Sequence, residues 1–209
     1  MNISWHGEGA IRIQSGESTV LLDPYSKDSG LSPLRAHVDI VGLARGKKDK
    51  ENMQHIKDPG LVIEGAGEYE SHDIIVEGIE TVFGGDPDTT PVFYTVHAEG
   101  MNICHLGALA KPLTDKQIDA IGNVDILLIP VGGGDVLDAE KAVALANELE
   151  PRIVIPIYYK TDGIKAKRAD EKAFLKEIGA GDASKEKTLS VKKHQLPQEE
   201  TKVVVLEKN

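Results

Sequence analysis

The hydrophobic pattern of this 209-residue chain changes its period near the middle. In the first half, short apolar segments such as Ile3 to Ile13 and Thr19 to Leu22 alternate with turn residues, a spacing typical of β-strands. In the second half, apolar strands alternate with amphipathic helices. Strands followed by strand and helix in alternation predict two sheets packed face to face with helices outside, a layered α/β sandwich.

The second half carries the clearest element boundaries. Thr114 and Gln117 have the spacing of a capping box, and Asp138 is placed to cap a second helix that ends before Pro151. Further strands are predicted at 124–130, 152–157 and 201–206, and a short helix at 170–178. The charged segment 163–187 around that helix is interpreted as solvated.

Composition restricts the class of protein. Acidic residues outnumber basic ones 34 to 24, and the net charge of -10 opposes capture of nucleic acid or anionic lipid. The longest apolar run, Val124 to Val131, is shorter than the roughly 18 residues of a membrane helix. Cys104 is the single cysteine, which fits a reducing compartment, and no export signal is recognised. We expect one cytoplasmic domain over residues 1–209 that binds neither nucleic acid nor membrane.

Three local patterns have an ordinary structural interpretation. The backbone amides of Val131-Gly132-Gly133-Gly134-Asp135 could cradle a phosphate, but the spacing matches no phosphate-binding motif, and a tight turn is favoured. The seven histidines never fall at the spacing of a local metal-ligand pair. Cys104 and His105 point to opposite faces of a predicted strand, which favours a buried thiol and a lone imidazole over a nucleophile pair.

A series of motifs follows the chain from end to end: Ser4-Trp5-His6-Gly7, Leu21-Leu22-Asp23-Pro24, Gly67-Glu68-Tyr69-Glu70, Ile103-Cys104-His105-Leu106-Gly107, the segment 124–133, Asp138-Ala139 and the segment 152–159. Together these motifs resemble the metallo-β-lactamase-fold hydrolases, in particular the short single-domain branch that includes L-ascorbate-6-phosphate lactonase-like proteins. The resemblance implies a four-layer αββα sandwich with one or two metal ions, commonly zinc or manganese, at one edge of the sheets.

The resemblance also implies where the metal ligands would stand, and this chain differs there. The positions concerned are Arg45, Lys47 and Lys50 at the three histidines of the family's HxHxDH motif, Asp49 at its aspartate, Glu8 at a front histidine, Ala108 at a bridging aspartate, Tyr158 at a late histidine, and Asp23, which is kept and supports the site in relatives. Cations in a ligand loop oppose a divalent ion, because like charges 4 Å apart repel by roughly 4 kcal/mol at an effective dielectric constant of 20. The differences predict a vestigial pocket that holds neither zinc, manganese nor any other cofactor.

Two functions of different class follow from this pattern. The first is a pseudoenzyme that has lost its metal and hydrolase activity and binds a small anionic ligand or a protein partner, for example as a non-catalytic subunit beside an intact relative. The alternative is an active metal-dependent hydrolase with a site rebuilt from Glu8, Asp23, Asp49, Glu68 and His105.

The pocket carboxylates lead to one geometric prediction. Buried carboxylates without partners protonate or destabilise a fold. We therefore expect at least one of Arg45, Lys47 and Lys50 to turn inward and pair with Asp23 or Asp49. Arg45 is the best candidate, because its planar guanidinium can donate two hydrogen bonds to one carboxylate.

Overall fold

The computed structural model describes residues 1–82 and 90–209, without the side chains of residues 46–48. Its strands are β1 (Asn2–Trp5), β2 (Ile11–Ser15), β3 (Ser18–Leu22), β4 (Ala36–His37), β5 (Ile40–Gly42), β6 (Ile56–Lys57), β7 (Leu61–Ile63), β8 (Gly67–Ser71), β9 (Ile74–Glu80), β10 (Val92–Ala98), β11 (Met101–His105), β12 (Ile126–Pro130), β13 (Ile153–Ile157), β14 (Ser184–Glu186), β15 (Thr188–Ser190) and β16 (Lys202–Leu206). Its α-helices are α1 (Asp115–Ile121), α2 (Ala139–Leu149) and α3 (Lys172–Glu177), and its 3-10 helices are Lys27–Ser29, Gly46–Met53 and Lys193–Gln195.

Two large sheets form the body of the fold. The strand order is β15-β1-β2-β3-β5-β7 in the six-stranded sheet and β14-β16-β13-β12-β11-β10-β9-β8 in the eight-stranded sheet, while β4 and β6 form a separate pair. The main hydrophobic cluster draws residues from both sheets, including Trp5, Phe93 and Tyr94, which are fully buried. The predicted α/β sandwich is confirmed.

The outer layers of the two sheets are built differently. The eight-stranded sheet carries α1 and α2, and α2 packs against β12 and α3. The six-stranded sheet is covered on its outer face by a second cluster that joins Leu21 and Val41 to Val38, Leu43 and Ile56. Leu21 belongs to this cluster while its neighbours Val20 and Leu22 belong to the main one, because side chains alternate between the faces of a strand.

Local capping signals set the ends of the helices. The capping box of Thr114 and Gln117 is present at α1, and the Asp138 carboxylate accepts the backbone N–H of Lys141 at the start of α2. The predicted strands at 124–130, 152–157 and 201–206 correspond to β12, β13 and β16. These signals were readable from the sequence because they act within one turn of helix.

One strand prediction is wrong in a way that matters for the site. The segment Ile3 to Ile13 was expected to be strand throughout, but it forms β1 and β2 with a tight turn between them. In that turn Ala10 N–H donates to the carbonyl of Gly7, and a Cβ at Gly9 would collide with the carboxylate of Asp23. The turn therefore brings Glu8 out of the sheet and close to Asp23.

Among the described residues, 1–82 and 90–209, none of the helices has the length and apolar character needed to span a membrane. The sequence also predicts a strand from Glu80 to Phe83. Of these residues only Glu80 lies in a strand, as the last residue of β9, whereas Thr81 and Val82 do not. Phe83 lies outside the described residues.

Candidate active-site pocket

The loops that follow four strands meet at one edge of the sandwich. Asp23 follows β3, Arg45 lies beyond β5, Ala108 lies beyond β11, and Tyr158 follows β13. Since β3 is parallel to β5, and β11, β12 and β13 run parallel, the carboxyl ends within each set share an edge. These residues and Glu8 line a cavity of about 350 Å³, named the edge pocket below.

Asp23 and Tyr158 form a buried hydrogen-bonded pair at the base of the edge pocket. The Tyr158 hydroxyl donates to Asp23 Oδ2 at 2.6 Å, and the two residues are only 7% and 9% exposed. Burial raises the pKa of Asp23 to about 6, although the hydrogen bond from Tyr158 lowers it. Burial also raises the pKa of Tyr158 well above its usual value, so the phenol remains a donor. A carboxylate that titrates near neutrality can accept a proton during a reaction.

Arg168 ties two carboxylates and an aromatic ring together. Its side chain is 4% exposed, and its Nε and Nη2 donate to Glu8 Oε2 at 3.1 and 3.0 Å. Its Nη1 lies 2.6 Å from Asp135 Oδ1, and its guanidinium carbon stands 4.8 Å from the ring centre of Tyr158. Burial raises the pKa of Glu8, and the charge of Arg168 partly opposes that shift. Arg168 therefore holds both Glu8 and the Tyr158 ring in place.

The sequence analysis missed Arg168, because it lies in the segment 163–187 that was interpreted as solvated. Its partner Glu8 is 160 residues away, and no local pattern marks such a pair. The one sequence signal connected with Arg168 is the Gly132-Gly133-Gly134 turn, which packs against it. A Cβ at Gly132 would overlap the carbonyl oxygen of Tyr158 and come within 3.0 Å of Arg168. Gly132 thus permits the close approach that brings Arg168 over Tyr158.

Arg45 pairs with Asp49, as predicted, but its side chain is 61% exposed and does not turn inward. Its Nη2 lies 3.0 Å from Asp49 Oδ1, and its backbone N–H donates to Oδ2 at 2.8 Å. Asp49 is 2% exposed and also accepts a hydrogen bond from Asn52 at 3.2 Å. Lys50 instead pairs with Glu64 at 2.9 Å. The side chain of Lys47 lies outside the described residues.

The site proposed as a rebuilt hydrolase is only partly brought together. Glu8 and Asp23 line the edge pocket, and Asp49 lies behind Arg45. His105 is fully buried; its Nε2 donates to the carbonyl of Gly9 at 2.8 Å, and burial lowers its pKa to about 4. Glu68 is exposed on β8. Neither His105 nor Glu68 is among the described residues that line the pocket.

The backbone is strained at three of the pocket residues. Glu8, Asp23 and Tyr158 have φ angles of 49°, 52° and 54°. This left-handed conformation is uncommon for residues other than glycine and costs of order 1–3 kcal/mol each. Such strain concentrates at functional sites, because the surrounding structure must hold it in place. The three residues reach one cavity from three separate loops.

The described residues do not fit a metal ion where they stand. Within residues 1–82 and 90–209, no three His, Cys, Asp or Glu side chains form a group that could hold one. The buried carboxylates of Glu8, Asp23 and Asp49 already bind Arg168, Tyr158 and Arg45. A catalytic ion of the zinc type takes three protein ligands and an open position.

Comparison with known proteins identifies similar chains. A family model described as "Beta-lactamase superfamily domain" matches residues 2–158. A "UPF0173 metal-dependent hydrolase" of Lysinibacillus sphaericus is 25% identical over 199 residues, which covers 77% of this chain and 86% of the relative. A protein of the same description from Anoxybacillus flavithermus is 26% identical over 203 residues, with 77% and 87% covered.

Solved structures show the same fold. A protein of Thermotoga maritima, assigned as a Zn-dependent hydrolase of the metallo-beta-lactamase superfamily, has a TM-score of 0.79 and 27% identity, and 98% of this chain and 97% of that one are covered. Igni18, a metallo hydrolase from Ignicoccus hospitalis, has a TM-score of 0.66 at 15% identity, with 87% and 91% covered, and shows the fold alone. The predicted metallo-β-lactamase-type sandwich is confirmed.

The prediction that no metal cofactor belongs here is contradicted by these comparisons. The curated relatives are named metal-dependent hydrolases, and the Thermotoga maritima structure is assigned as Zn-dependent, which points to a metal cofactor. The replacement of the family's histidines does not by itself exclude a metal ion. Carboxylate and carbonyl oxygens suit hard ions such as Mn²⁺ without any histidine.

Proposed function

This chain belongs to the β-lactamase superfamily, and from that membership we propose that it is a hydrolase whose active site is the edge pocket. The family model covers residues 2–158, and hydrolysis is the activity named for the curated relatives. The observation that carries the proposal is the convergence of Glu8, Asp23 and Tyr158 on one cavity, each with a left-handed backbone.

Asp23 is the residue proposed to move the proton. Its carboxylate takes one proton from a water molecule, the water oxygen attacks the scissile bond of the substrate, and the proton passes to the leaving group as that bond breaks. A base whose pKa is near the working pH is best suited to this exchange. The pKa of Asp23 is raised to about 6 by burial, against about 3.8 for an ordinary aspartate.

The other pocket residues orient Asp23 and stabilise charge. The hydrogen bond from Tyr158 fixes the Asp23 carboxylate, and Arg168 stacks on the Tyr158 ring. Arg45 lines the pocket within electrostatic reach of Asp23, so its guanidinium can stabilise negative charge that develops on the substrate. Because the described residues do not fit a metal ion, no step is assigned to one.

The competing hypothesis is the pseudoenzyme, a binding protein of this family without hydrolase activity. The ion pairs that occupy Arg45 and Arg168 are compatible with a binding role. The relatives' names, however, favour the active hydrolase, since they describe hydrolysis.

A hydrolysis screen distinguishes the two. The purified full chain would be assayed against carboxylic esters, lactones, amides and phosphate esters, after chelation and then with added Zn²⁺ or Mn²⁺. We expect Asp23→Asn to lower the rate by about 10²–10⁴-fold, the usual contribution of a general base. Asp182→Asn, at an exposed position outside the pocket, is the matched control. If the wild-type chain hydrolyses no substrate under any metal condition, the pseudoenzyme hypothesis replaces this one.

A further inference from the structure

The edge pocket holds more negative than positive charge among the described residues. Its charged lining residues are Glu8, Asp23, Asp135, Arg45 and Arg168. Behind Arg45 lies a fourth carboxylate, Asp49, which binds the same guanidinium. Arg168 is shared between two carboxylates. Four carboxylates therefore face two cations, and a surplus of two negative charges remains when all are ionised.

Asp23 is the carboxylate without a cationic partner. Its Oδ2 accepts a hydrogen bond from a neutral phenol, and its Oδ1 makes no hydrogen bond with any residue in the ranges that the structure describes. The residue is 7% exposed; the charges of Asp49 and Glu8 repel it, and the charge of Arg45, which forms no ion pair with it, attracts it. A buried carboxylate costs free energy unless a cation and hydrogen bonds compensate it. A cation bound beside Asp23 would remove that cost.

The remainder of the pocket suits an organic ligand. Its volume of about 350 Å³ lies at the small end of the usual range for small-molecule sites. Part of the lining is apolar, formed by Pro91, Val92, Leu106 and Leu109, a set named the apolar wall here. Val92, Leu106 and Leu109 are already buried, so an alkyl chain would cover mainly the exposed Pro91 and the apolar surface that remains open to the cavity.

We propose that the edge pocket binds a small primary amine in its ammonium form, with the nitrogen at Asp23 and the alkyl part on the apolar wall. An ammonium group brings one positive charge and three N–H donors. The inference goes beyond the proposed function: an ammonium group at Asp23 takes the place of the water that Asp23 would activate, so the amine is a competing ligand and not part of the substrate.

The charges also bear on the ligand expected from the sequence. A small anionic ligand was among the occupants expected from the sequence, in which the cations Arg45, Lys47 and Lys50 stand at the family's histidine positions. Arg45 and Lys50 are each paired with a carboxylate. An anion in the edge pocket would approach Asp23 and Asp135, and the guanidinium groups of the described lining, Arg45 and Arg168, already share their charge with carboxylates.

The test compares three ligands of equal size. The full chain would be titrated at pH 7.5 with n-butylamine, n-butanol and butyrate, and binding followed by ligand-observed NMR. We expect n-butylamine to bind at least 10-fold more tightly than either of the others, and Asp23→Asn to remove that preference while Asp182→Asn keeps it. Butyrate binding as tightly as the amine, or an amine preference that survives Asp23→Asn, would overturn the inference.

Metal ions form a separate arm. Zn²⁺ and Mn²⁺ would be titrated alone as chlorides, and a stoichiometric ion that depends on Asp23, without any amine binding, would also overturn the inference. The two proposals fail separately. Hydrolysis that n-butylamine does not inhibit would refute the amine and leave the hydrolase, whereas amine binding without turnover of any substrate would refute the hydrolase and leave the amine.

Discussion

Replacing Asp23 by asparagine should stabilise the folded protein at neutral pH. Asparagine carries no charge, has almost the same shape, and its side-chain oxygen can still accept the hydrogen bond of Tyr158. The wild-type carboxylate, in contrast, is ionised in a buried position. An active-site residue that costs stability is a familiar trade-off between stability and activity.

The magnitude follows from the pKa of Asp23, which is raised from 3.8 to about 6 in the folded protein. One pKa unit corresponds to 1.36 kcal/mol, so the shift of about 2 units amounts to about 3 kcal/mol. A raised carboxyl pKa means that the folded state holds the proton more tightly than the unfolded state does. The contribution of Asp23 to stability is therefore full below pH 4 and falls as the pH rises through 6.

Urea unfolding at a series of pH values measures this difference. The free energy of unfolding of Asp23→Asn minus that of the wild type should increase by about 3 kcal/mol between pH 4 and pH 7.5. Asp182→Asn, where the carboxylate is exposed, should show no comparable slope. A difference that stays constant over this range would refute the reasoning, because it would mean that burial does not penalise the charge of Asp23.

Three further predictions concern packing and the hydrogen bond to Asp23. Gly132→Ala should destabilise the fold by about 1–3 kcal/mol in urea unfolding, because its Cβ would overlap the Tyr158 carbonyl oxygen, whereas Gly181→Ala, with nothing within 4 Å, should change little. Tyr158→Phe should raise the pKa of Asp23 above 6 in a carboxyl NMR titration, since the phenol hydrogen bond lowers it; an unchanged pKa would contradict the assigned bond. Leu127→Ala, at a fully buried position of β12, should cost about 2–5 kcal/mol by the same unfolding assay, and a cost below 1 would argue against the sandwich core.

Local signals explain how much of the fold the sequence predicted. The capping residues Thr114 and Asp138 mark helix starts through bonds made within three residues. The pocket positions Glu8, Asp23 and Tyr158 were found because they adjoin recognisable strands. Their conformations were not predictable, since a left-handed backbone at a non-glycine residue has no sequence signature and is imposed by tertiary packing.

Contacts between distant residues explain what was missed. Asp135 and Arg168 meet only after a glycine turn and a long loop have packed against β13. Asp135 ends the glycine-turn motif, but no motif in the sequence includes Arg168. His105 is the opposite case, a residue that a motif proposed for the site and that the structure places outside it. Both of its ring nitrogens form hydrogen bonds with backbone groups, and burial keeps the imidazole neutral.

The order in which the chain is synthesised has a consequence for the edge pocket. The first strand, β1, is flanked by β2 and by β15, whose residues 188–190 are synthesised long after those of β1. The ion pair of Glu8 likewise cannot form until Arg168, 160 residues later in the chain, has left the ribosome. A nascent chain that has emerged only as far as residue 158 therefore contains Glu8, Asp23 and Tyr158 without the guanidinium that joins them. The pocket can therefore be completed only after Arg168 has left the ribosome, when most strands of both sheets are already available to fold.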